Sequence, residues 1–265
     1  MIRCADLDLR QLLVANFGAM ATNNVDSPPD LEFSVEKNGS SPLFSVFRGG
    51  RAIFNAENFS DLLFLLDKEI VVELQRRRAD LFFLHSAAIA WQGNAFLLAA
   101  ESGAGKSTTT WGMLHNGFEY LSDELSPLDI WSMQVFPYPH AICFKRQPPG
   151  PYPLPQGALH LGRTIHVPTE FLPSKTVSQP LTLGAVFLLD YRPDTAVPEV
   201  RVIGPGEAGA RLYVNALNAL AHTRHGLDAV AQISKFVPCF VISSAGLLET
   251  CRLIRTTLQQ VAGHI

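Results

Sequence analysis

The sequence predicts an α/β fold, and three observations favour it. The apolar residues 96–100 run directly into a glycine-rich turn, and the residues after that turn are compatible with a helix. The apolar stretch 81–100 is divided at Gln92-Gly93-Asn94, a turn signal that predicts two strands of a hairpin. The apolar run 183–189 predicts a further buried strand. With 265 residues and 47% hydrophobic content, the chain can form one large domain, or a catalytic domain with a small attachment.

The first part of the chain is predicted to form a small antiparallel sheet and a helix. Residues 31–55 alternate apolar and polar positions, and they contain the turn signals Asn38-Gly39 and Gly49-Gly50. Residues 61–78 carry leucine and isoleucine at helical spacing, with Ser60 as the predicted N-cap. These elements predict an accessory unit before the strand hairpin.

The glycine-rich turn has the composition of a phosphate-binding loop. Gly103 and Gly105 leave backbone N–H groups accessible to an anion, and the following helix directs its positive end toward the same place. Lys106 is expected to reach the terminal phosphates, and the hydroxyl of Ser107 is expected to take one position on Mg²⁺. The motif predicts binding of ATP or GTP with Mg²⁺. The residues predicted to contact the nucleotide are Glu101, Ser102, Gly103, Ala104, Gly105, Lys106, Ser107 and Thr108.

One position of this loop departs from the usual pattern. The full pattern opens with glycine, and this chain has Ala100 there. Gly117 is expected to end the helix that follows the loop. A glycine-rich turn without a ligand is the alternative, but the apolar strand before the loop and the helix after it favour a nucleotide site.

Two adjacent acids follow the loop at the distance expected for a metal-binding carboxylate. Residues 118–124 predict a short strand that ends in Asp123 and Glu124. Asp123 is expected to hold the metal, directly or through water, and Glu124 to accept the proton of an attacking hydroxyl. The alternative is an ordinary acidic turn at the surface.

Two further residues are candidates for the catalytic centre. His85 begins the hairpin strand that pairs with the strand leading to Ala100, although a histidine between apolar residues is more often a hydrogen-bonded core group. Lys145 ends an apolar strand within 136–145, where its charge can stabilise a transferring phosphoryl group. A solvated lysine at a strand end is an equal alternative for Lys145.

The remaining segments complete the predicted order of elements. Residues 146–180 are rich in proline and glycine, which predicts an irregular active-site loop or a disordered segment, and we favour a substrate loop. After the strand at 183–189, helical periodicity covers 205–221, 224–236 and 247–261. A short strand is predicted at 236–242, between the last two helices.

Composition excludes several classes of function and indicates a compartment. The net charge of −3 and pI near 6.2 give no support for nucleic-acid binding, and the basic run 76–78 is interpreted as a solvated helix terminus. The four cysteines have no metal-type spacing and fit a reduced compartment. The N-terminus lacks the layout of a signal peptide, and the turn at 92–94 interrupts the only stretch that suggests a membrane span. A cytoplasmic protein without membrane contact is therefore expected.

Four segments together resemble the HPr serine kinase superfamily, and within it the HPr-kinase-related, kinase A-like branch. They are His85-Ser86-Ala87, the loop at 100–108, Leu121-Ser122-Asp123-Glu124, and residues 137–145 with the sequence Pro-Tyr-Pro-His-Ala-Ile-Cys-Phe-Lys. The likeness covers residues 81–261, and the first eighty residues match only in general layout. The resemblance implies a P-loop kinase domain over 81–265, preceded by the accessory unit at 1–80.

The resemblance also implies a mechanism and roles for the site residues. It implies the fold shared with phosphoenolpyruvate carboxykinase nucleotide domains, a mixed sheet with flanking helices, in which ATP and Mg²⁺ are used to phosphorylate a serine hydroxyl. It assigns His85 to supporting the acidic pair and Asp123 to the metal. It assigns Glu124 to the general base, which is usually a second aspartate. No counterpart of the Glu-x-Arg-Gly signature of the bifunctional enzymes is found, so reversal by phosphorolysis is not expected.

Three functions fit these residues. The first is a kinase that transfers the γ-phosphoryl group to a hydroxyl, with the serine of a peptide or protein as the acceptor. The second is an ATP-binding regulatory or assembly module with little transfer activity, suggested by Ala100 and by glutamate at 124. The third is a small-molecule kinase, which differs from the first only in its acceptor. Members of the superfamily often assemble, so a homo-oligomer is one expectation.

Overall fold

The computed structural model describes residues 1–22, 28–101, 103–195 and 197–262, and it shows a mixed α/β fold. The helices are α1 (Leu7–Phe17), α2 (Phe59–Arg77), α3 (Lys106–His115), α4 (Pro205–Val214), α5 (Leu227–Phe236) and α6 (Leu247–Ala262). The strands are β1 (Ile2–Cys4), β2 (Phe33–Lys37), β3 (Phe44–Arg48), β4 (Arg51–Ala56), β5 (Phe82–Leu84), β6 (Ser86–Trp91), β7 (Asn94–Ala100), β8 (Glu119–Ser122), β9 (Ser126–Asp129), β10 (Gln134–Val135), β11 (Ile142–Phe144), β12 (Leu159–His160), β13 (Ile165–Val167), β14 (Leu181–Tyr191), β15 (Glu199–Val202) and β16 (Cys239–Ser244). Short 3₁₀ turns lie at Gly18–Met20, Thr169–Phe171, Ala219–Ala221 and Thr223–Gly226.

The largest sheet contains nine strands and is mixed. Seven strands follow the order β5-β9-β10-β14-β7-β6-β8, while β16 pairs with β14 and β15 pairs with β16. The long strand β14 makes this possible, because its first residues pair with β10 and residues 186–191 pair with β16. Strands β7, β14 and β16 run parallel, and the other pairs in this sheet are antiparallel. The carboxyl ends of the three parallel strands therefore lie at one edge.

Helices cover both faces of this sheet, because successive side chains of β7 point to opposite faces and are apolar on each. Leu97 and Ala99 belong to a core cluster that includes residues of α4 and α5. Leu98 and Ala100 belong to a second cluster on the other face, with residues of α3 and α6. Helices α3 and α6 pack closely because Gly112 has no side chain: an added Cβ would lie 2.7 Å from the sulfur of Cys251.

The N-terminal residues form a separate four-stranded sheet, which confirms the hairpins predicted over 31–55 and adds two elements. Strands β2, β3 and β4 are antiparallel, but β1 joins the edge in parallel with β2. Helix α1 was not predicted, although Asp6 provides the signal by accepting a hydrogen bond from the backbone of Leu9 at 2.9 Å. Three-residue β1 is too short to show a period of its own.

The cap predicted for α2 was wrong by two residues. Asn58 is the N-cap and accepts a hydrogen bond from the backbone N–H of Asp61 at 2.9 Å. Ser60 lies inside the helix, and its hydroxyl is 3.0 Å from that of Thr164. The helix packs on two clusters: Leu62, with its neighbours, joins the core of the N-terminal sheet, whereas Leu74 packs beside the start of β5.

A third sheet has the order β11-β13-β12 and was not predicted. Strand β11 lies just before the proline-rich segment 146–180, and β12 and β13 lie within it. Residues 146–158 form neither helix nor strand, as predicted, but the prediction of an irregular segment was wrong for β12 and β13, because these residues pair with each other and with β11. The helix predicted over 205–221 was too long, since α4 ends at Val214. The chain leaves the helix there because the next residues pair with β5: Ala216 forms a bridge with Leu84, and Leu217 donates to the carbonyl of Phe83 at 2.9 Å.

The division of the chain near residue 80 stays a prediction. One core cluster consists of residues from α1, α2 and the N-terminal sheet, with Leu161 packed against it, and the two clusters of the large sheet come from later residues. Across the described ranges of the chain, the helices are too short or too polar for any of them to cross a membrane.

Candidate phosphate-binding and catalytic site

The glycine-rich loop follows β7 directly and ends at the first turn of α3. Gly103 and Gly105 have φ values of 89° and 93°, in the left-handed region that favours glycine. Nothing lies within 4 Å of a Cβ built on either residue, so backbone conformation is the reason for glycine at both positions. The N–H of Ala104 donates to the carbonyl of Glu101 at 3.0 Å and closes the turn. The predicted contact residue Ser102 lies outside the described residues.

Ala100 is compatible with this loop geometry. It is the last residue of β7, and it pairs with Leu189 of β14 and packs in the core. Its backbone is therefore ordinary strand, and the position does not need the conformational freedom of glycine. The departure from the full motif does not alter the turn formed by the residues that follow.

A cavity of about 320 Å³ lies beside the loop, at the carboxyl ends of the parallel strands. Gly103, Gly105 and Thr108 line one side of it. The other side is lined by residues 189–191 of β14 and by residues 244–247, from the last residue of β16 to the first residue of α6. Ligands of open α/β sheets bind in this position, at the carboxyl edge of the strands.

Two predicted catalytic residues, His85 and Glu124, come together with the predicted nucleotide-binding residue Lys106 beside the loop. Lys106 Nζ lies 3.1 Å from Glu124 Oε2 and 3.5 Å from His85 Nε2. The other ring nitrogen of His85, Nδ1, lies 3.4 Å from the same Glu124 oxygen. These residues come from the β5–β6 junction, the start of α3 and the end of β8, so the fold assembles the cluster from distant parts of the sequence.

The charged groups in this cluster shift one another's pKa values. Burial raises the pKa of Glu124, but the charges of Lys106 and His85 and the hydrogen bond from Lys106 outweigh burial and hold that pKa below its ordinary value. Burial, followed by the nearby charge of Lys106, lowers the pKa of His85. At neutral pH the cluster therefore contains an ionised glutamate, a lysine and a neutral histidine.

Asp123 is completely buried, and neither carboxylate oxygen has a hydrogen-bond partner among the described residues. Burial, together with the neighbouring charge of Glu124, raises the pKa of Asp123 to about 6, although the charge of Lys106 and the side chain of Ser107 act in the opposite direction. A buried carboxylate without a partner is costly, and such groups are usually paired or coordinate a metal.

A search of protein-family models and of curated proteins finds no match to this chain. Among solved structures, the chain is similar to the HPr(Ser) kinase/phosphatase from Coxiella burnetii, with 14% sequence identity and a TM-score of 0.36. The alignment covers 68% of this chain and 98% of the other. A likeness this distant does not identify the function of this chain.

Three more buried polar atoms of this region have no hydrogen-bond partner in the part of the chain that the structure describes. They include the hydroxyls of Ser86, which follows His85, and of Ser122, which precedes Asp123. The third is Nε2 of His140, whose Nδ1 donates to the carbonyl of Ala141 at 2.7 Å. The charge of His140 also lowers the pKa values of Asp123 and Glu124. His140 was not predicted as a site residue, because a histidine between prolines and apolar residues gives no signal of burial in the sequence.

Lys145 follows β11 and is exposed, as predicted for a lysine at a strand end. The positive charge of Lys145 contributes to lowering the pKa of His85, so Lys145 lies near the cluster of His85, Lys106 and Glu124. Its predicted role in stabilising phosphoryl charge stays a prediction.

The donor set fits Mg²⁺ better than a transition metal. Within the described ranges, no group of three or more histidine, cysteine, aspartate or glutamate side chains could hold an ion. Mg²⁺ is commonly held by one or two carboxylates together with substrate phosphates and water. The buried oxygens of Asp123 and the hydroxyl of Ser107 are of this type.

Proposed function

We propose that this protein is an ATP- and Mg²⁺-dependent phosphotransferase that moves the γ-phosphoryl group to a hydroxyl, the serine of a peptide or protein. The observation that carries the proposal is the position of Glu124. Its carboxylate lies 3.1 Å from the ammonium group of the phosphate-loop lysine, Lys106, and directly follows the buried, unpartnered Asp123. Lys106 to bind phosphate, Asp123 to hold a metal and Glu124 to accept a proton would thus lie at one place.

The loop and the start of α3 support the binding of a triphosphate. Gly103 and Gly105 leave the backbone N–H groups accessible, and the N-terminus of α3 adds the positive end of its dipole. The neighbouring cavity of about 320 Å³ has room for the nucleoside part of the ligand. We assign Glu101 to Thr108 to this nucleotide site, as the P-loop pattern predicts.

Asp123 and Ser107 would hold Mg²⁺. A bound ion would supply positive charge that offsets the negative charge developing on the transferring phosphoryl group. The carboxylate of Asp123 is already in place beside the side chain of Ser107, and within the described residues its oxygens have no hydrogen bond of ordinary geometry that a bound ion would have to replace. The proposed metal site thus combines the glycine-rich loop, strand β8 and the acid that follows this strand, as in a P-loop kinase fold.

Glu124 would accept the proton of the attacking hydroxyl. In the ligand-free protein, Lys106 and His85 hold its pKa below the ordinary value. Bound phosphates compete with Glu124 for Lys106, and a glutamate that loses this nearest cation becomes a stronger base. His85 would then orient the carboxylate, and Lys145 would add positive charge near the transferring group.

The proline-rich segment is proposed to border the acceptor. Pro149 reaches the cavity beside the loop. Tyr152 fixes the segment to α3: its carbonyl accepts from the indole of Trp111 at 3.1 Å, and its hydroxyl accepts from Asn116 at 2.7 Å. The ring of Tyr152 also stacks on His115 with centroids 4.7 Å apart. This anchoring supports a role in positioning the acceptor next to the helix that carries Lys106.

The proposal is tested by incubating the purified protein with γ-labelled ATP, Mg²⁺ and the peptides and proteins encoded beside its gene, followed by mass spectrometry. A serine-linked phosphate on one of them, absent with Lys106→Ala, is the expected result. Tight ATP binding without any labelled peptide or protein would contradict the peptide acceptor. A metabolite screen would then distinguish a small-molecule kinase from a nucleotide-binding module.

A further inference from the structure

A second cavity lies far along the sequence from the phosphate loop and is dominated by arginine. Its volume is about 410 Å³. The walls include three arginines, one carboxylate and two apolar side chains: Arg48, Arg51, Arg76, Glu69, Ile53 and Val72. We call it the arginine cavity. It lies between the turn end of the β3–β4 hairpin and the second half of α2.

A buried carboxylate organises the arginines on the helix side. Glu73 is only 5% exposed and forms ion pairs with Arg48, Arg76 and Arg77. Arg48 and Arg76 share one oxygen, at 2.5 Å and 2.7 Å, while Arg77 takes the other. Three guanidinium groups around one carboxylate leave a positive excess, and they are held in place by a side chain that is itself buried.

The hairpin adds a charge that the described chain does not neutralise. Arg51 lies directly opposite Arg48 in the β3–β4 register, although like charges in this arrangement are unfavourable. The guanidinium of Arg51 makes no hydrogen bond or ion pair with any residue in the described ranges. Arg48 is held by Glu69 and Glu73, at 3.5 Å and 2.5 Å, whereas among the described residues Arg76 is paired only with Glu73 and its side chain is 66% exposed. Arg51 and Arg76 are therefore the arginines of the cavity that can reach a ligand.

The local charge is opposite to that of the whole protein. Four arginines, at positions 48, 51, 76 and 77, face two glutamates, at 69 and 73, within a chain of net charge −3. The basic run 76–78 was interpreted as a solvated helix terminus, because the sequence alone does not show that the hairpin places Arg48 and Arg51 against the same helix. An anion in the cavity would relieve the repulsion between these arginines.

We propose that the arginine cavity binds an acidic segment of a peptide or protein partner, with carboxylate side chains bound by Arg51 and Arg76. Guanidinium groups bind carboxylates through paired hydrogen bonds, and the apolar walls formed by Ile53 and Val72 suit the methylene groups of glutamate. The cavity binds this segment without nucleotide, so the proposal does not depend on phosphoryl transfer.

The test is calorimetric titration of the full chain, at low salt and without nucleotide, with a short peptide that alternates glutamate and glycine. The same peptide with glutamine in place of glutamate serves as the neutral control ligand. The acidic peptide is expected to bind, the neutral one is not, and Arg51→Glu is expected to weaken binding by at least about tenfold. Arg51→Ala, which removes the charge without reversing it, should weaken binding to a smaller extent.

Arg255→Glu, at an exposed position on α6, is the matched control and should bind like the unchanged protein. Inorganic phosphate is titrated separately to identify a general oxyanion site. The proposal is overturned if the acidic peptide does not bind, if both peptides bind equally, or if both Arg51 variants retain full affinity. Binding of phosphate in place of the acidic peptide would also overturn it.

Discussion

The ammonium group of Lys106 lies 3.1 Å from the carboxylate of Glu124, although eighteen residues separate them in the sequence. One residue begins the helix after the phosphate loop, and the other follows the short strand β8. The buried lysine thus has a carboxylate partner in the ligand-free protein, which offsets the cost of burying its charge. In the proposed reaction, this pair opens when phosphates bind, and both residues become available for transfer.

Replacement of Lys106 by alanine is expected to lower the phosphoryl-transfer rate by at least about 100-fold, because the transferring charge loses a preorganised cation. The measurement is the formation of labelled acceptor from γ-labelled ATP. Lys68→Ala, at an exposed position on α2, is the control and should leave the rate unchanged. Full activity of the Lys106 variant would contradict the assignment of the loop.

Glu124→Gln separates a kinase from a binding module. The variant keeps the shape of the side chain but cannot accept a proton, so transfer should fall by about 100-fold or more while ATP binding remains. Both quantities are measured, binding by calorimetry and transfer by the labelled product. Glu119→Gln, at the start of the same strand, is the control. Unchanged transfer in the Glu124 variant would exclude this residue as the general base.

Asp123→Asn is expected to stabilise the ligand-free protein at neutral pH. Because the fold raises the pKa of Asp123 from 3.8 to about 6, the unfolded chain loses this proton first, and stability falls as pH rises through that interval. The cost at neutral pH is on the order of 3 kcal/mol, which asparagine does not incur. Denaturant unfolding of both proteins at pH 8 measures it, and the difference between them should be smaller at pH 5, within the interval, and smallest below pH 3.8.

The same variant should lose the effect of the metal. Mg²⁺ together with nucleotide is expected to raise the unfolding temperature of the unchanged protein and to have little effect on Asp123→Asn. An asparagine variant that is less stable than the unchanged protein at pH 8 would contradict the raised pKa of Asp123. A variant that still responds fully to Mg²⁺ would contradict the metal-binding role of this carboxylate.

A polar network beyond the site makes the protein sensitive to acid. His166 is buried, with Nδ1 donating to Asn16 Oδ1 at 2.7 Å and Nε2 lying 3.0 Å from the hydroxyl of Thr164. Burial lowers the pKa of His166 from 6.5 to about 4. Stability is therefore full above pH 6.5 and is expected to fall by about 3 kcal/mol as pH drops toward 4.

Urea unfolding across this pH range, with NMR titration of the ring, checks the expectation. His166→Gln should reduce the loss of stability in acid, while His160→Gln, at an exposed position on the neighbouring strand β12, should not. A His166 ring that titrates near its ordinary pKa would contradict the account.

The elements around the phosphate loop could be predicted because their signals are local. The hairpin β6–β7 has its turn at Gln92 and Gly93, both with positive φ, and Gly117 follows the end of α3 with φ of 87°. A glycine or a turn dipeptide specifies such a feature without reference to the rest of the chain. The acids after β8 were predicted from a different local signal, a short strand at 118–124 that ends in Asp123 and Glu124.

The features that depend on distant residues could not be predicted. Helix α4 ends early because the following residues pair with β5, more than a hundred positions earlier. The burial of His140 and the meeting of Arg51 with α2 likewise depend on which elements pack together. Lys106 and Glu124 could therefore be predicted as candidate residues, but their direct contact could not, because it depends on how α3 packs beside β8.

A crystal structure of the protein with a non-hydrolysable ATP analogue and Mn²⁺ in place of Mg²⁺ tests the central claim most directly. The account predicts triphosphate on the loop, an anomalous peak coordinated by Asp123 and Ser107, and a terminal phosphate facing Glu124 with Lys106 moved onto it. A metal away from Asp123, or a nucleotide whose terminal phosphate points away from Glu124 while the Lys106–Glu124 pair stays closed, would contradict it.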